Sequence, residues 1–345
     1  MATIKEIAEL AGVSRTTVSF VLNHNPVVNQ ETRNRVEKII RETGYIPNHT
    51  AQNLSRKVTR CIGLIVLSDQ KRTFSYDFDN GTGLYSLAVI RGVASALDDT
   101  EYGMLIEYYC ETDTPDGLPD LFLNRKIDGA LLVGGFCSRE LLSRLTATGI
   151  PFCMVEVGLP EPQCDCVYSD PGAGAVSCLD RLYQAGKRKL LFLNAPSHFR
   201  SAQTRTQAVS VWRENHPDCR VEEAYPPANN GFGGFEATKQ CLRAGSMDGL
   251  ATANAQLALG AVRAIRESGR SIPDDVSVAV YEDNVLAGYC MPPLTAVNIQ
   301  KEEMGKAAVG LLLDRIAAPG RKTCSICVPQ YLVERESISD NQKEE

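Results

Sequence analysis

The residues near the start of the chain best equipped to touch a nucleic acid are Arg15, Thr16 and Phe20. Arg15 and Thr16 can hydrogen-bond base edges or phosphates, whereas Phe20 can offer only apolar contact, as with a thymine methyl group. All three fall on the outer side of a short stretch that follows Gly12-Val13-Ser14, and Val18, Val21 and Leu22 form its inner side. A sharp turn followed by a helix with small or polar residues near its start is what a major-groove reader needs. Periodicity by itself also admits a plain helical hairpin in a protein scaffold.

Other residue types that carry chemistry do not assemble into a recognisable site. The twelve cysteines are scattered, and Cys61, Cys153 and Cys178 sit in apolar stretches, so they read as small core hydrophobes. The close pairs are Cys164-x-Cys166 and Cys324-x-x-Cys327. A structural zinc site takes four ligands at defined spacing. Neither pair has an evident partner, and His24, His49, His198 and His216 do not cluster with them. Gly172-Ala173-Gly174 has Ser177 where a dinucleotide fingerprint needs its third glycine, and Asp170 before it reads as a helix cap. Gly231-Phe232-Gly233-Gly234 lacks the Lys-Ser/Thr of a phosphate loop. No nucleophile joins His198 or His216. The expectation is a chain with no catalytic centre, no metal and no cofactor.

The elements that must hold the first residues in place are short helices. Ile4, Ile7, Ala8 and Ala11 recur at helical spacing, which predicts a helix over 3–11 that Gly12 breaks. Ser14 caps a second helix to about Asn23. Asn29 caps a third over about 30–43, buried through Val36, Ile39 and Ile40, and Gly44 ends it. A last short segment, 48–56, carries Ala51 and Leu54. After residue 60 the pattern changes to short β-branched runs alternating with helices. Strands are expected at Ile62–Leu67, Met104–Tyr109, Gly129–Val133, Phe152–Val157, Leu190–Leu193, Gly249–Ala253, Val276–Tyr281 and Thr295–Ile299. Helices are expected between them at 84–98, 138–148, 173–185, 201–214, 234–244 and 255–268, with a last one at 301–317. This is the rhythm of a doubly wound parallel sheet, over a run long enough for two lobes.

Composition agrees with that division. A chain of 345 residues, 43% hydrophobic and 23% charged, buries a sizeable core and is not disordered. Residues 1–60 hold nine Lys/Arg against five Asp/Glu, a net charge of +4, while the remainder carries −10. A basic head on an acidic body is the electrostatic footprint of a nucleic-acid-binding module joined to something else. Met1 to Glu6 has no apolar signal region, and no apolar run approaches the ~18–20 residues that span a bilayer. A soluble, cytoplasmic protein with no membrane partner is expected.

One feature of the sequence goes beyond periodicity. The run from Thr3-Ile4-Lys5-Glu6-Ile7-Ala8 through Gly12-Val13-Ser14-Arg15-Thr16-Thr17-Val18-Ser19 resembles the N-terminal signature of the LacI/GalR family of bacterial transcriptional regulators. The resemblance continues through Val28-Asn29-Gln30-Glu31-Thr32-Arg33, Gly44-Tyr45-Ile46-Pro47-Asn48, Ala51-Gln52-Asn53-Leu54 and Ile62-Gly63-Leu64. Downstream it includes Pro273-Asp274-Asp275-Val276-Ser277-Val278, Pro292-Pro293-Leu294-Thr295 and Leu332-Val333-Glu334-Arg335-Glu336-Ser337.

The resemblance implies an all-α helix-turn-helix head plus an α/β core of two doubly wound parallel-sheet lobes, like a periplasmic sugar-binding protein. Its expected divisions are residues 1–46 as the DNA-binding head, 47–60 as hinge helix and linker, and 61–340 as the effector-binding and dimerisation core. It implies a homodimer on a near-palindromic operator, a repressor's role, and a small-molecule effector, most simply a sugar or sugar derivative. The DNA contacts it implies are Thr3, Ser14, Arg15, Thr16, Thr17, Ser19, Phe20, Asn23, Tyr45, Asn48, Ala51, Leu54 and Lys57. Leu54 stands where a leucine wedges into the central base step and kinks the duplex; hinge packing is the other reading. Effector contacts are expected from Arg205, Asn254 and Glu282. The sequence departs from the family here: Ala208 and Val280 replace usual glycines, and Ala255 and Glu282 replace usual aspartates. A roomier, less negative pocket follows on the Ala255 side, and a ligand larger or more acidic than a simple hexose. An altered cleft that binds nothing, leaving an effector-independent regulator, is the competing expectation; a free solute-binding protein would share the core but needs an export signal, and the basic helical head argues against it.

Overall fold

The computed structural model describes residues 2–22, 25–45, 58–68, 82–111, 117–135, 137–157, 164–197, 199–245 and 247–340. The chain divides into two compact units, Met1–Thr59 and Arg60–Glu345.

The first unit contains three described helices, α1 (Ile4–Ala11), α2 (Arg15–Leu22) and α3 (Gln30–Thr43). Their ends are set by local chemistry. Thr3 and Glu6 close a reciprocal capping box on α1, Thr3 N donating to Glu6 Oε2 at 2.7 Å and Glu6 N donating to Thr3 Oγ1 at 3.3 Å. Gly12 ends α1 at φ +62°, a left-handed conformation that glycine adopts without a Cβ penalty. Ser14 Oγ then accepts from Thr17 N at 3.1 Å, and Asn29 Oδ1 from Thr32 N at 2.8 Å. Ile7, Ala8, Ala11, Val18, Val21 and Val36 are buried together as the unit's core. Arg33 is part of this scaffold, since its Nη2 donates to Asn25 O at 2.7 Å and fixes the loop before α3. The expected segment 48–56, and with it most of the 47–60 hinge, lies outside the described residues.

Arg60, counted above with the basic head, belongs to the second unit. Its backbone N donates to Asp128 Oδ2 at 2.8 Å, and its Nη2 pairs with Glu101 at 2.9 Å. The head's charge excess is therefore +3, from eight basic residues against five acids.

The second unit holds two six-stranded sheets. The first lobe runs β1 (Cys61–Ser68), α4 (Thr82–Leu97), β2 (Gly103–Cys110), α5 (Asp120–Leu123), β3 (Gly129–Val133), α6 (Arg139–Ala147), β4 (Phe152–Val155) and β5 (Asp165–Tyr168). The second runs α7 (Pro171–Gln184), β6 (Lys189–Leu193), α8 (Arg200–Asn215), β7 (Arg220–Ala224), α9 (Gly231–Ala244), β8 (Gly249–Thr252), α10 (Ala255–Glu267), β9 (Ser277–Tyr281), α11 (Val285–Tyr289) and β10 (Thr295–Asn298). The chain then returns to the first lobe for α12 (Lys301–Ala317) and β11 (Ser325–Cys327), and ends in the second with β12 (Tyr331–Val333). The strand orders are β11-β5-β4-β3-β1-β2 and β12-β10-β9-β8-β6-β7, the same pattern twice. Neighbouring strands are parallel except β10 and β12. Each sheet is covered on both faces, as β1 illustrates: Ile62, Leu64 and Val66 pack toward α4 and α12, and Ile65 and Leu67 toward α5 and α6.

The eight expected strands are all present. The sequence reading missed β5, β7, β11 and β12. They are short and mixed in polarity, and neighbouring strands rather than their own pattern hold them extended. Pairing of β11 with β5 also brings the two close cysteine pairs onto adjacent strands, Ser325 opposite Cys166. Among the described residues no three His, Cys, Asp or Glu side chains converge as metal ligands. Asp165 on β5 is instead the anchor of this edge. Its carboxylate takes Arg315 Nε at 2.9 Å, Arg321 Nη2 at 2.8 Å and Cys324 N at 2.8 Å.

Candidate functional site

In the first unit, α2 presents Ser14, Arg15, Thr16 and Phe20 to solvent. Val18 and Val21 are buried behind them. Ser14 serves as the helix cap and also lies 2.9 Å from Thr17 Oγ1, so these two hydroxyls organise the start of the helix. Thr3 is exposed and caps α1. Ser19 is half-buried, and Tyr45 is half-buried against the head's core. Asn23, Asn48, Ala51, Leu54 and Lys57 lie outside the described residues.

In the second unit, the chemistry gathers at the carboxyl ends of the strands where the lobes meet, the usual place for ligands on parallel sheets. Glu156 follows β4 and Glu282 follows β9, equivalent positions in the two strand orders. Both have left-handed backbones, φ +55° and +97°, which non-glycine residues adopt only at a cost. Glu156 accepts a hydrogen bond from Ser169 N. Burial pushes its carboxyl pKa up, while the Ser169 hydrogen bonds and the Arg205 charge partly counter the rise. Glu282 pairs with Lys301, the first residue of α12, at 3.3 Å, and Lys301 Nζ also donates to Asp283 O at 2.7 Å.

Arg205 projects from α8 and is only 4% exposed, so it is not a surface arginine. Its Nε donates to Asn194 Oδ1 at 2.9 Å, and its guanidinium stands 5.5 Å from the Tyr281 ring centre. Burial lowers its pKa, against the opposing influence of Tyr281, Glu156, Glu282 and Glu223. Asn194 is held in turn by Glu223, its Nδ2 donating to Oε1 at 2.8 Å. Tyr281 OH lies 3.1 Å from Ser169 Oγ, a contact between the two lobes. A Cβ on Gly174 would come within 2.2 Å of the Tyr281 ring. The Gly172-Ala173-Gly174 run thus makes room for an aromatic ring. Asp170 caps α7 as expected, accepting from Ala173 N at 3.0 Å.

Asn254 has local partners: it accepts from Leu257 N at 2.8 Å as the α10 cap and donates to Asn229 Oδ1 at 2.7 Å. It shares the strand-end edge with Arg205 and Glu282 but hydrogen-bonds to neither. Ala255 is fully buried in the apolar core of its lobe, so its small size does not enlarge the cleft.

The sequence reading missed Tyr85, Glu156, Asn194, Ser169, Tyr281 and Lys301. Tyr85 OH reaches Met304 Sδ at 3.9 Å, and burial, then the charges of Glu156, Tyr281 and Glu282, push its pKa up. Glu156 had a readable signal, because Met154-Val155-Glu156 repeats the strand-then-acid pattern of Val280-Tyr281-Glu282.

A helical head with an exposed reading helix, followed by a two-lobed core with a charged cleft, defines a DNA-binding transcription regulator. Residues 3–48 match the bacterial regulatory proteins of the lacI family, and residues 179–338 match the periplasmic binding protein-like domain. The chain thus carries a lacI-family head followed by a periplasmic binding protein-like domain. It is 29% identical over 344 residues to the HTH-type transcriptional regulator CelR of Thermobifida fusca, covering 97% of this chain and 98% of that protein. The solved complex of the transcriptional regulator CelR with cellobiose superposes with a TM-score of 0.69 at 28% identity, over 98% of this chain and all of that one. The lac repressor dimer bound to operator superposes at 0.82 with 24% identity, over 98% and 99% of the two chains, a likeness of fold. No helix among the described residues is long and apolar enough to cross a membrane.

Proposed function

We propose that this protein is a cytoplasmic repressor without catalytic chemistry, and that a small effector bound between the two lobes alters its grip on DNA. Residues 1–46 read a half-site, 47–60 form the hinge, and 61–340 bind the effector and pair two chains into a homodimer. A single reading helix covers few base pairs, so a symmetric dimer on a near-palindrome is the geometry that gives useful specificity. Arg15, Thr16 and Phe20 carry base and phosphate contact, with Ser14 and Thr17 holding the helix start in place. Leu54 wedges the central base step, and Lys57 contacts phosphate.

The observation that carries the effector reading is the cluster of Arg205, Glu156 and Glu282 at the junction of the lobes, built on two left-handed residues at equivalent strand ends. Strained backbone beside buried charge is characteristic of a ligand site. A sugar or sugar derivative suits it, since CelR, a regulator of similar sequence, is solved with cellobiose. The test is operator binding by the full-length protein, measured by fluorescence anisotropy with and without a panel of sugars and sugar acids. An active compound is expected to change operator affinity in wild type and to have no effect on Arg205→Ala, which should still bind operator. A response that survives Arg205→Ala would move the effector site elsewhere.

A further inference from the structure

We infer that the effector of this cleft is an anion, a small polyhydroxylated molecule bearing a carboxylate or a phosphate, and that Arg205 receives its acid group. This rests on the reading of the cleft as the effector site and names the class of ligand it selects.

Arg205 offers five N–H donors in a rigid fork. One of them, on Nε, is used by Asn194 Oδ1. Among the described residues the other four meet no acceptor, and no carboxylate comes within ion-pairing distance of the guanidinium. A charge that is only 4% exposed and has no carboxylate at bonding distance is expensive to keep, even with Glu156, Glu282 and Glu223 acting on it from further off.

The surrounding acids do not supply that partner, because each is held by other donors. Glu223 accepts from Asn194 Nδ2 at 2.8 Å, Thr206 Oγ1 at 2.7 Å and Tyr225 OH at 3.0 Å. Glu156 accepts from Ser169 N. Glu282, the acid placed to receive a neutral sugar's hydroxyls, is taken by Lys301 Nζ. The Lys301 ammonium has three N–H groups and two acceptors, at 3.3 and 2.7 Å, and so retains a donor of its own. The described donors reach only Oε1 of Glu156 and Oε1 of Glu282, so the cleft keeps acceptor capacity of its own, and what stays unanswered is the charge of the Arg205 fork. An oxyanion satisfies the Arg205 fork with two parallel bonds and neutralises the buried charge at the same time. Asn194, locked by Glu223, holds the fork at the required angle.

The experiment uses full-length wild-type protein and matched ligands. Neutral mono- and disaccharides are each compared with their uronic, aldonic and phosphorylated forms by thermal shift and then isothermal titration calorimetry. At least one acid is expected to bind ten-fold or more tightly than its neutral counterpart, and the carboxylate and phosphate arms identify which acid group the fork takes. Arg205→Gln should cut that preference below two-fold, while Arg205→Lys, which keeps the charge without the fork, should retain part of it. The comparison on wild type decides the class even where Arg205→Gln folds poorly. Binding confined to neutral sugars and lost in Arg205→Gln overturns the anionic class and leaves the effector cleft standing. Binding that is indifferent to Arg205→Gln overturns both, and the absence of binding by every acid in the panel overturns the class.

Discussion

At the scale of single residues, the head and the core use polar side chains in opposite ways. On α2, Arg15, Thr16 and Phe20 are exposed, so replacing them costs the fold little and acts on whatever they touch. Thr16→Ala and Phe20→Ala are expected to change base preference in a binding-site selection, whereas Lys57→Ala should weaken all sequences alike. Unchanged preferences in both α2 variants would remove those residues from base reading. In the cleft, Glu156 is a buried acid on a left-handed backbone, costly to stability. Burial raises its pKa above the unfolded value, so the folded state binds the proton more readily than the unfolded chain. Stability from this group is therefore fully present below the ordinary glutamate pKa and is lost as pH rises through the folded one. Glu156→Gln should raise stability in denaturant titrations at pH 7.5 and change it less at pH 4.5. An equal effect at both pH values would show that the group titrates as it does in water.

At the scale of elements, buried polar anchors rather than long apolar runs hold the short strands. Arg335 and Ser337 in the near-terminal motif show this. Arg335 clasps Asp283 through Nη1 at 2.8 Å and Nη2 at 3.0 Å, and Ser337 joins Val278 O to Thr295 N. The motif thereby fixes the turn after β9 that carries Glu282. Asp165 does the same for β5, β11 and the end of α12, with its carboxylate wholly buried between Arg315 and Arg321. Asp165→Asn leaves two arginines facing a neutral amide and should cost about 3 kcal/mol in chemical denaturation, as breaking a buried pair does. A loss below about 1 kcal/mol would mean that solvent screens the cluster.

At the scale of the whole molecule, the charge asymmetry and the proposed hinge each make a prediction about DNA binding. Lys5, Arg15, Arg35 and Arg41 are exposed on the head, while Arg33 is committed to its fold. Operator affinity should fall steeply with salt, giving a negative log–log slope that reports the phosphates neutralised. A flat salt dependence would exclude phosphate contact as the main source of affinity. Leu54→Ala should leave the dimer intact in sedimentation, lose specific affinity, and reduce DNA bending in a mobility assay, because the wedge goes while the core is untouched. Bending at the wild-type level would place the kink elsewhere.

The sequence by itself determined what local pattern can carry. The three head helices follow from Gly12, Ser14, Asn29 and Gly44, whose chemistry acts within four residues, and the structure keeps each of those ends, with Thr3 added as the cap of α1. The eight central strands and the long helices between them followed from apolar periodicity, since each buries its own residues whichever neighbour it meets. The rest depended on partners distant in sequence. β11 is a strand because β5 lies beside it, and Asp165, far upstream, anchors its start by accepting from Cys324 N. Arg205 could be read as a cleft arginine only from family likeness; its burial, and the donors that occupy Glu223, Glu156 and Glu282, come from five separate elements and loops. Lys301 on Glu282 is the clearest case. No local pattern marks a lysine at a helix start as the partner of an acid nineteen positions away. Only the return of the chain from the second lobe to the first brings the two together, and that contact decides which charges the cleft leaves free.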